Sequence, residues 1–380
     1  MGKSRAIARE RVEEVLRQFD LRGTLLVAEP YGSGHINDTL SLIVDQAGGP
    51  LRYILQRINK RIFKDPPRLM SNISRVTAWI AERLAAHLDA SRRVLTVVST
   101  RDGLPYALDA EGDYWRIYLF IEKARTYDVI DGPGQAASAA RAFGAFMRQL
   151  EAFPARELHE TIPEFHHTPA RFAALVRAIE EDRCNRAAGA KAEIALLMER
   201  EADVHRLLAL HREGRLPLRV THNDCKLNNV MIDDMSGEGI CVIDLDTVMP
   251  GLSLYDFGDM VRTATSPAAE DERDLARVRM QMPMFRALLE GFLSGAGAIL
   301  TPEEIDQLPF AGKLITLETG IRFLTDHLNG DVYFKTARPG HNLDRCRTQC
   351  RLVASIEEQE AGMRREVARA MEQLQQAVDR

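Results

Sequence analysis

The chain has 380 residues, 45% of them hydrophobic, with 50 Lys and Arg against 55 Asp and Glu. That apolar content supports a full core and excludes wholesale disorder, and the length accommodates two lobes. A formal net charge of -5 supplies no basic field for nucleic acid or an anionic membrane, and no apolar run reaches the roughly 20 residues needed to cross a bilayer. Taken in chain order, residues 5 to 19 are charged and helical in period, with Val12, Leu16 and Phe19 available to dock on a core. "TLLVA" (24–28), "TLSLIVD" and "LRYILQRIN" read as strands, with the glycine-containing turn "YGSGHINDTL" after the first. Pro66 and Pro67 break the chain, and a helical stripe of Ile73, Val76, Ile80, Leu84 and Leu88 follows. "RVLTVVS" and "YWRIYLFIEKA" read as two further strands. Beyond about residue 123 amphipathic helices dominate, including a capping box at "TPEEI" and a polar terminal helix. The predicted class is therefore α+β: a small β-rich lobe over 1–122 and a larger helical lobe over 123–380, joined near Ile121 to Lys123.

Five scattered cysteines and a start without an apolar signal core fit a reduced, cytoplasmic protein. Cys346 and Cys350, four apart, read as two thiols on one helix face. "HETIPEFHH" (His159, Glu160, His166, His167) is broken by prolines and reads as a surface loop rather than a zinc site.

The chemistry concentrates in "VTHNDCKLNNVMIDDMSGEGICVIDLD". Asp224 lies in a polar loop, Asn229 precedes the strand "VMI", "DDMSGEG" is a turn, and Asp244 ends the return strand "ICVI". Pairing 230 with 243 and 232 with 241 sets Asn229 and Asp244 side by side. An amide oxygen and a carboxylate so held form a hard site suited to Mg²⁺, and Asp224 is close enough to take a proton from a nucleophile there. Phosphoryl transfer needs those parts: a cation to neutralise the transferred oxygens and a carboxylate to orient the attacking hydroxyl. The spacing H-x-D-x-x-x-x-N, followed about fifteen residues later by I-D-L-D, matches the catalytic and metal loops of the kinase fold.

These segments, with "VIDLDTVMPGLSLYDFGD", resemble the aminoglycoside phosphotransferase and choline kinase superfamily. "GSGHINDT", "YLFIEKARTYD" and "RFLTDHLNGDVYF" make the N-acetylhexosamine 1-kinases the most similar group within it. The resemblance spans about residues 25 to 340. It implies a bilobal kinase-like fold that uses ATP, with Asp224 as base and Asn229 and Asp244 as catalytic metal ligands. Asp246 would bind a second metal or brace the first, and Asp256 would support the catalytic loop.

One departure stands out. Kinases hold the α- and β-phosphates with a lysine on the third strand, and "YILQRIN" has none. Arg57 is the natural substitute, because guanidinium binds phosphate bidentately. Gln56 is the fallback if the register shifts by one, and Glu82 on the following helix is the partner for Arg57. Gly32, Ser33 and Gly34 would lie near the phosphates, and Ile121 and Glu122 of the inter-lobe connection belong to the nucleotide site. His35, Asn37 and Asp38 would face the acceptor; the bland alternative is turn capping. Arg322, Asp326 and Tyr333 complete the candidate acceptor pocket, unless Arg322 and Asp326 only bridge to each other on a helix. A mixed donor and acceptor pocket suits a neutral sugar better than a polycation. The expected activity is ATP-dependent phosphorylation of the anomeric hydroxyl of an N-acetylhexosamine, with no nucleic-acid or membrane partner. The rivals are a kinase for another small alcohol (another sugar, an aminoglycoside, choline or homoserine) and a nucleotide-binding pseudokinase scaffold.

Overall fold

Alternating apolar residues make Thr24–Pro30, Asp38–Gln46 and Gly49–Arg57 the strands β1, β2 and β3 of an antiparallel sheet. The computed structural model describes residues 7–32, 34 and 36–378. Val97–Val98 (β4) and Ala107–Leu108 (β5) are short and both pair with Tyr114–Leu119 (β6), giving the order β1-β2-β3-β6-β4. "RVLTVVS" is thus mostly not strand, because the helix α3 (Ala90–Arg93) takes its first residue. The sheet's outer face carries Leu42, Tyr53, Leu55, Trp115 and Ile117, packed on Val12, Val15 and Phe19 at and just beyond α1 (Arg9–Leu16). Its inner face presents Ile54 and Tyr118 to Ile73, Val76 and Ile80 of α2 (Pro66–Leu84). Pro66 and Pro67 begin that helix instead of ending a segment: both sit in its first turn, behind an Asp65 cap that accepts the Arg68 N–H at 3.1 Å.

The remainder is largely helical. In order come α4 (Pro133–Gln149), α5 (Thr168–Glu181), α6 (Lys191–Met198), α7 (Glu201–Val204), α8 (Arg206–Arg212), α9 (Ser253–Ala264), α10 (Met282–Ala296), α11 (Pro302–Asp306), α12 (Leu308–Leu328) and α13 (His341–Val378). Thr301 and Glu304 form the expected capping box on α11. Gly291 of α10 lets that helix lie against α4 backbone to backbone: a Cβ there would meet the Ala137 carbonyl oxygen at 2.2 Å. The terminal helix packs back on this part of the molecule, burying Met363 and Val367 in the same core as α10. Cys346 and Cys350 are buried on it with sulfurs 3.8 Å apart.

Two small sheets set the site. Ala124–Arg125 (β7) and Gly239–Val242 (β10) flank Val230–Asp233 (β9), and Arg219–Thr221 (β8) pairs with Met249–Gly251 (β11). The β9–β10 register is one residue off the expected one: Val242 faces Val230, Cys241 faces Met231, and an irregularity between Gly239 and Cys241 absorbs the difference. Among the described residues no helix is long and apolar enough to cross a membrane.

Candidate active site

After β8 the chain turns because Asn223 adopts a left-handed conformation, φ 65°, which asparagine tolerates. Its amide fixes the turn, donating to the Thr247 carbonyl at 2.9 Å and accepting from the Thr221 hydroxyl at 3.0 Å. Asp256, buried in the first turn of α9, accepts the N–H groups of His222 and Asn223 at 3.0 and 2.7 Å. His222 is buried against Phe143 and Phe146 of α4, and its Nε2 lies 2.9 Å from the Ile243 carbonyl oxygen. These contacts grip the loop from behind, and Cys225 is a packed thiol whose burial pushes it well above its ordinary range.

The side chain left half-buried at the front is Asp224. Lys226 Nζ stands 2.8 Å from its Oδ1, and Asn229 Nδ2 donates to its backbone carbonyl at 2.9 Å and reaches Oδ2 at 3.3 Å. Burial alone would raise this carboxyl, but Lys226, helped by His222 and Arg262, holds it below its ordinary 3.8. It is an ionised acceptor at neutral pH, and Lys226 is a partner that sequence reasoning passed over although D-x-K was in plain view.

Asn229 engages its amide nitrogen with Asp224, and its oxygen has no partner among the described residues. The Ile243 N–H donates to the Asn229 carbonyl at 2.9 Å, so Asp244 emerges one residue past the ladder, turned by a left-handed φ of 58°. It makes no hydrogen bond or ion pair among the described residues. It is reached by solvent, yet protein atoms crowd around it. Enclosure there, then the charges of Asp246 and Asp224, push it up to about 6, and the crowding of like charges is the part that marks a place for a cation. Among the described residues no group of three or more His, Cys, Asp or Glu converges. The donor set that fits a divalent ion is the Asn229 oxygen with Asp244. A Mg²⁺ ion is ordinarily held by one or two carboxylates plus substrate phosphates and water, which is the kind of set these two side chains would contribute to. Asp246 does not join it: one oxygen is ion-paired with Arg116 and the other accepts from Asn37 Nδ2 at 2.7 Å. It braces the site and is no free ligand for a second metal.

The nucleotide side differs from expectation in its cation. Gly32 has φ 79°, which favours glycine, and the positions of Gly32 and Gly34 face open space. Ser33 and His35 lie outside the described residues. Arg57 shares the outer face with Leu55, ion-paired with Asp38 at 2.6 Å and 3.3 Å from Asp113, away from the cleft. Asp38 is thus engaged by Arg57 at the start of β2. Glu82 is exposed on α2 and makes no ion pair with Arg57 among the described residues. The phase of β3 decides this: Gln56, not Arg57, points inward, accepting from Arg116 Nε at 2.9 Å and donating to the Thr39 hydroxyl at 3.0 Å. Asn37 is held on both sides, since its oxygen also accepts the Asn59 N–H at 3.0 Å. At the connection Ile121 is buried, while the Glu122 carboxylate turns outward to Arg52. Arg92 braces the same stretch, donating to the carbonyls of Glu122 and Lys123 at 3.1 and 3.0 Å.

On the acceptor side Arg322 and Asp326 do not pair. Asp326 is buried and accepts the N–H groups of Val332, Tyr333 and Phe334 at 2.9, 2.8 and 3.0 Å, plus Asn342 Nδ2 at 2.8 Å. It shapes the loop. Arg322 stands among the rings of Phe165, Tyr333 and Phe334, 5.4 to 5.9 Å from their centres, with no ion pair among the described residues. It lines a cavity of about 190 Å³ with Arg171, Thr325 and Tyr333. Burial and the nearby Arg322 lower Arg171, and its Nε is buried with no hydrogen-bond partner among the described residues. A larger cavity of about 1040 Å³ opens between residues 128–133 and 263–284. It borders the catalytic loop through Asp128, which accepts from Asn228 Nδ2 at 3.3 Å. The "HETIPEFHH" segment is not all surface loop: the His166 side chain is mostly covered, ion-paired with Glu318 of α12 and touching the Asn223 carbonyl. An acid in the apolar stripe of "LITLETGIRFL" was the available signal.

Asn229 bonds Asp224, its backbone meets the strand end that carries Asp244, and Asn37 reaches Asp246 two residues further on. The model of the APH phosphotransferase enzyme family matches residues 27–288, and the chain belongs to that family. It is accordingly a phosphotransferase with an alcohol group as acceptor. In fold it is similar to an aminoglycoside phosphotransferase from Alicyclobacillus acidocaldarius (15% identity, TM-score 0.63, covering 97% of this chain and 99% of that one). A spectinomycin phosphotransferase, APH(9)-Ia, in complex with ADP and spectinomycin, aligns at 12% identity and TM-score 0.59 over 94% and 99% of the two chains. Plasmodium vivax ethanolamine kinase aligns at 14% identity and TM-score 0.54 over 86% and 82%. The kinase-like fold, with a β-sheet lobe before a helical part, is thereby established.

Proposed function

We propose that this phosphotransferase moves the γ-phosphoryl group of ATP to the anomeric hydroxyl of an N-acetylhexosamine, giving the sugar 1-phosphate. Asp224 is the base: ionised, oriented by Lys226 and Asn229, it positions the 1-hydroxyl and receives its proton. Asn229 and Asp244 hold Mg²⁺, which neutralises charge on the phosphate oxygens when bound. The nucleotide lies under the 32–37 turn with its base toward Ile121 and Glu122, and the N-lobe ends at that connection. Soluble sugar and ATP imply a cytoplasmic enzyme.

The observation that carries the acceptor is Arg322, walled by aromatic rings and without a carboxylate partner among the described residues. Guanidinium donors and the Tyr333 hydroxyl suit hydroxyl and acetamido oxygens. With Arg171 nearby and Asp326 engaged by backbone, the pocket repels the cationic acceptors that an ethanolamine kinase's name implies. Incubation with Mg-ATP and N-acetylglucosamine or N-acetylgalactosamine should produce a sugar 1-phosphate by ³¹P NMR. Inertness across a hexosamine panel, with turnover on another alcohol, would transfer the same chemistry to that alcohol.

A further inference from the structure

The family reaction requires a cation on the nucleotide's phosphates, and the third strand does not supply one. A different cation stands on the neighbouring strand. Arg116, in the middle of β6, is fully buried on the sheet's inner face, directly across from Gln56. Its Nε is fixed by the Gln56 oxygen at 2.9 Å, and Gln56 is fixed in turn by Thr39 of β2. One terminal nitrogen pairs with Asp246, the acid two residues after Asp244, and the other has no hydrogen bond among the described residues. Asp246 also meets Asn37 from the glycine turn. The guanidinium thus sits where Asn37, the inner face of the sheet and the loop after Asp244 converge. Arg57, the obvious substitute in the sequence, faces the opposite side of the sheet in ion pairs with Asp38 and Asp113.

We infer that Arg116 is the phosphate-binding cation of this enzyme, a role shifted from the third strand to its neighbour. Before nucleotide binds, Asp246 compensates its buried charge. With nucleotide bound, the planar fork offers its free edge to the phosphates while Gln56 keeps its orientation. The inference rests on the phosphotransferase chemistry and not on the acceptor, because nucleotide binding is measured with no acceptor present.

The test compares adenosine, ADP and ATP binding to the full chain by calorimetry. Arg116→Lys keeps a charge for Asp246 but loses the fork; it should weaken ADP and ATP several-fold and leave adenosine unchanged. Arg116→Met combined with Asp246→Asn, which removes both buried charges, should weaken ADP and ATP by tenfold or more, again sparing adenosine. Arg57→Ala should leave the ADP-to-adenosine ratio at the wild-type value. Equal loss for all three ligands would mean a structural role and overturn the assignment, as would a phosphate-selective loss in Arg57→Ala. A wild-type crystal with ADP decides independently of any variant. The Arg116 guanidinium on a phosphate oxygen supports the inference; phosphates bound by another side chain, with Arg116 still confined to Asp246, refutes it.

Discussion

His166 and Glu318 form a buried ion pair that fastens α12 to the loop carrying Asp224. His166 Nδ1 lies 2.8 Å from the Glu318 carboxylate, and Nε2 lies 3.0 Å from the Asn223 carbonyl oxygen. Both partners are acceptors, so both ring nitrogens donate and the ring is an imidazolium. Burial opposes that charge, but Glu318 outweighs it and raises His166 above its ordinary 6.5; burial likewise opposes ionisation of Glu318, and His166 outweighs it to hold Glu318 below 4.5. The histidine's contribution is complete below 6.5 and fades as pH rises through its folded value. The glutamate's is complete above 4.5 and fades as pH falls through its own. Thermal melts should therefore show a stability plateau between those two values. Glu318→Gln, which strands the imidazolium, should cost about 3 kcal/mol and flatten the alkaline decline. An unchanged melting temperature would contradict the pair.

Asp224→Asn removes the proton acceptor and keeps the shape. Turnover should fall by roughly a thousandfold, with ADP affinity changed little. Steady-state rates and a binding isotherm on the same preparation check both halves.

Asp244 is pushed up to about 6, so it carries a proton over a range where a divalent ion needs the carboxylate. Apparent Mg²⁺ affinity should drop as pH falls below about 6. In metal-free protein the sign for stability is the reverse. The folded state keeps this proton to about 6, while the unfolded chain releases it near 3.8, so rising pH destabilises across that interval. Melts in chelator and in excess Mg²⁺ should diverge as pH increases through it.

Arg322 and Asp326 are neighbours on one helix turn with different expected phenotypes. Arg322→Met should raise the acceptor KM about tenfold and leave the ATP KM alone. Asp326→Asn sets an amide against four donors at a buried position and should cost about 2 kcal/mol of stability. If Asp326→Asn instead changed only acceptor KM, the loop-holding role would be wrong.

The sequence made the catalytic segment legible because its chemistry is local: Asp224, Asn229 and Asp244 lie within one loop and one hairpin. The capping box and α2's apolar stripe as far as Leu84 were legible for the same reason, whereas Leu88, read into the stripe, lies beyond the helix and is fully exposed. What could not be read was phase and distance. A strand with Gln56 and Arg57 side by side gives no sign which one faces the cleft, and the phase is fixed by packing of Leu55 and Tyr53 on α1. Arg116 is separated from Asp246 by 130 positions, and His166 from Glu318 by 152. Each had one local clue, a charged residue inside an otherwise apolar run, but a clue of that kind names no partner.

The largest apolar cluster runs without a break from α2 and Tyr118 through the β9–β10 hairpin to α4, α10 and the terminal helix. The two lobes therefore share an interior, and neither can be lifted away clean. Severing the chain at the connection near residue 122 would strip α2 of its covering and leave two sticky halves. In calorimetry the intact protein should melt in a single cooperative step.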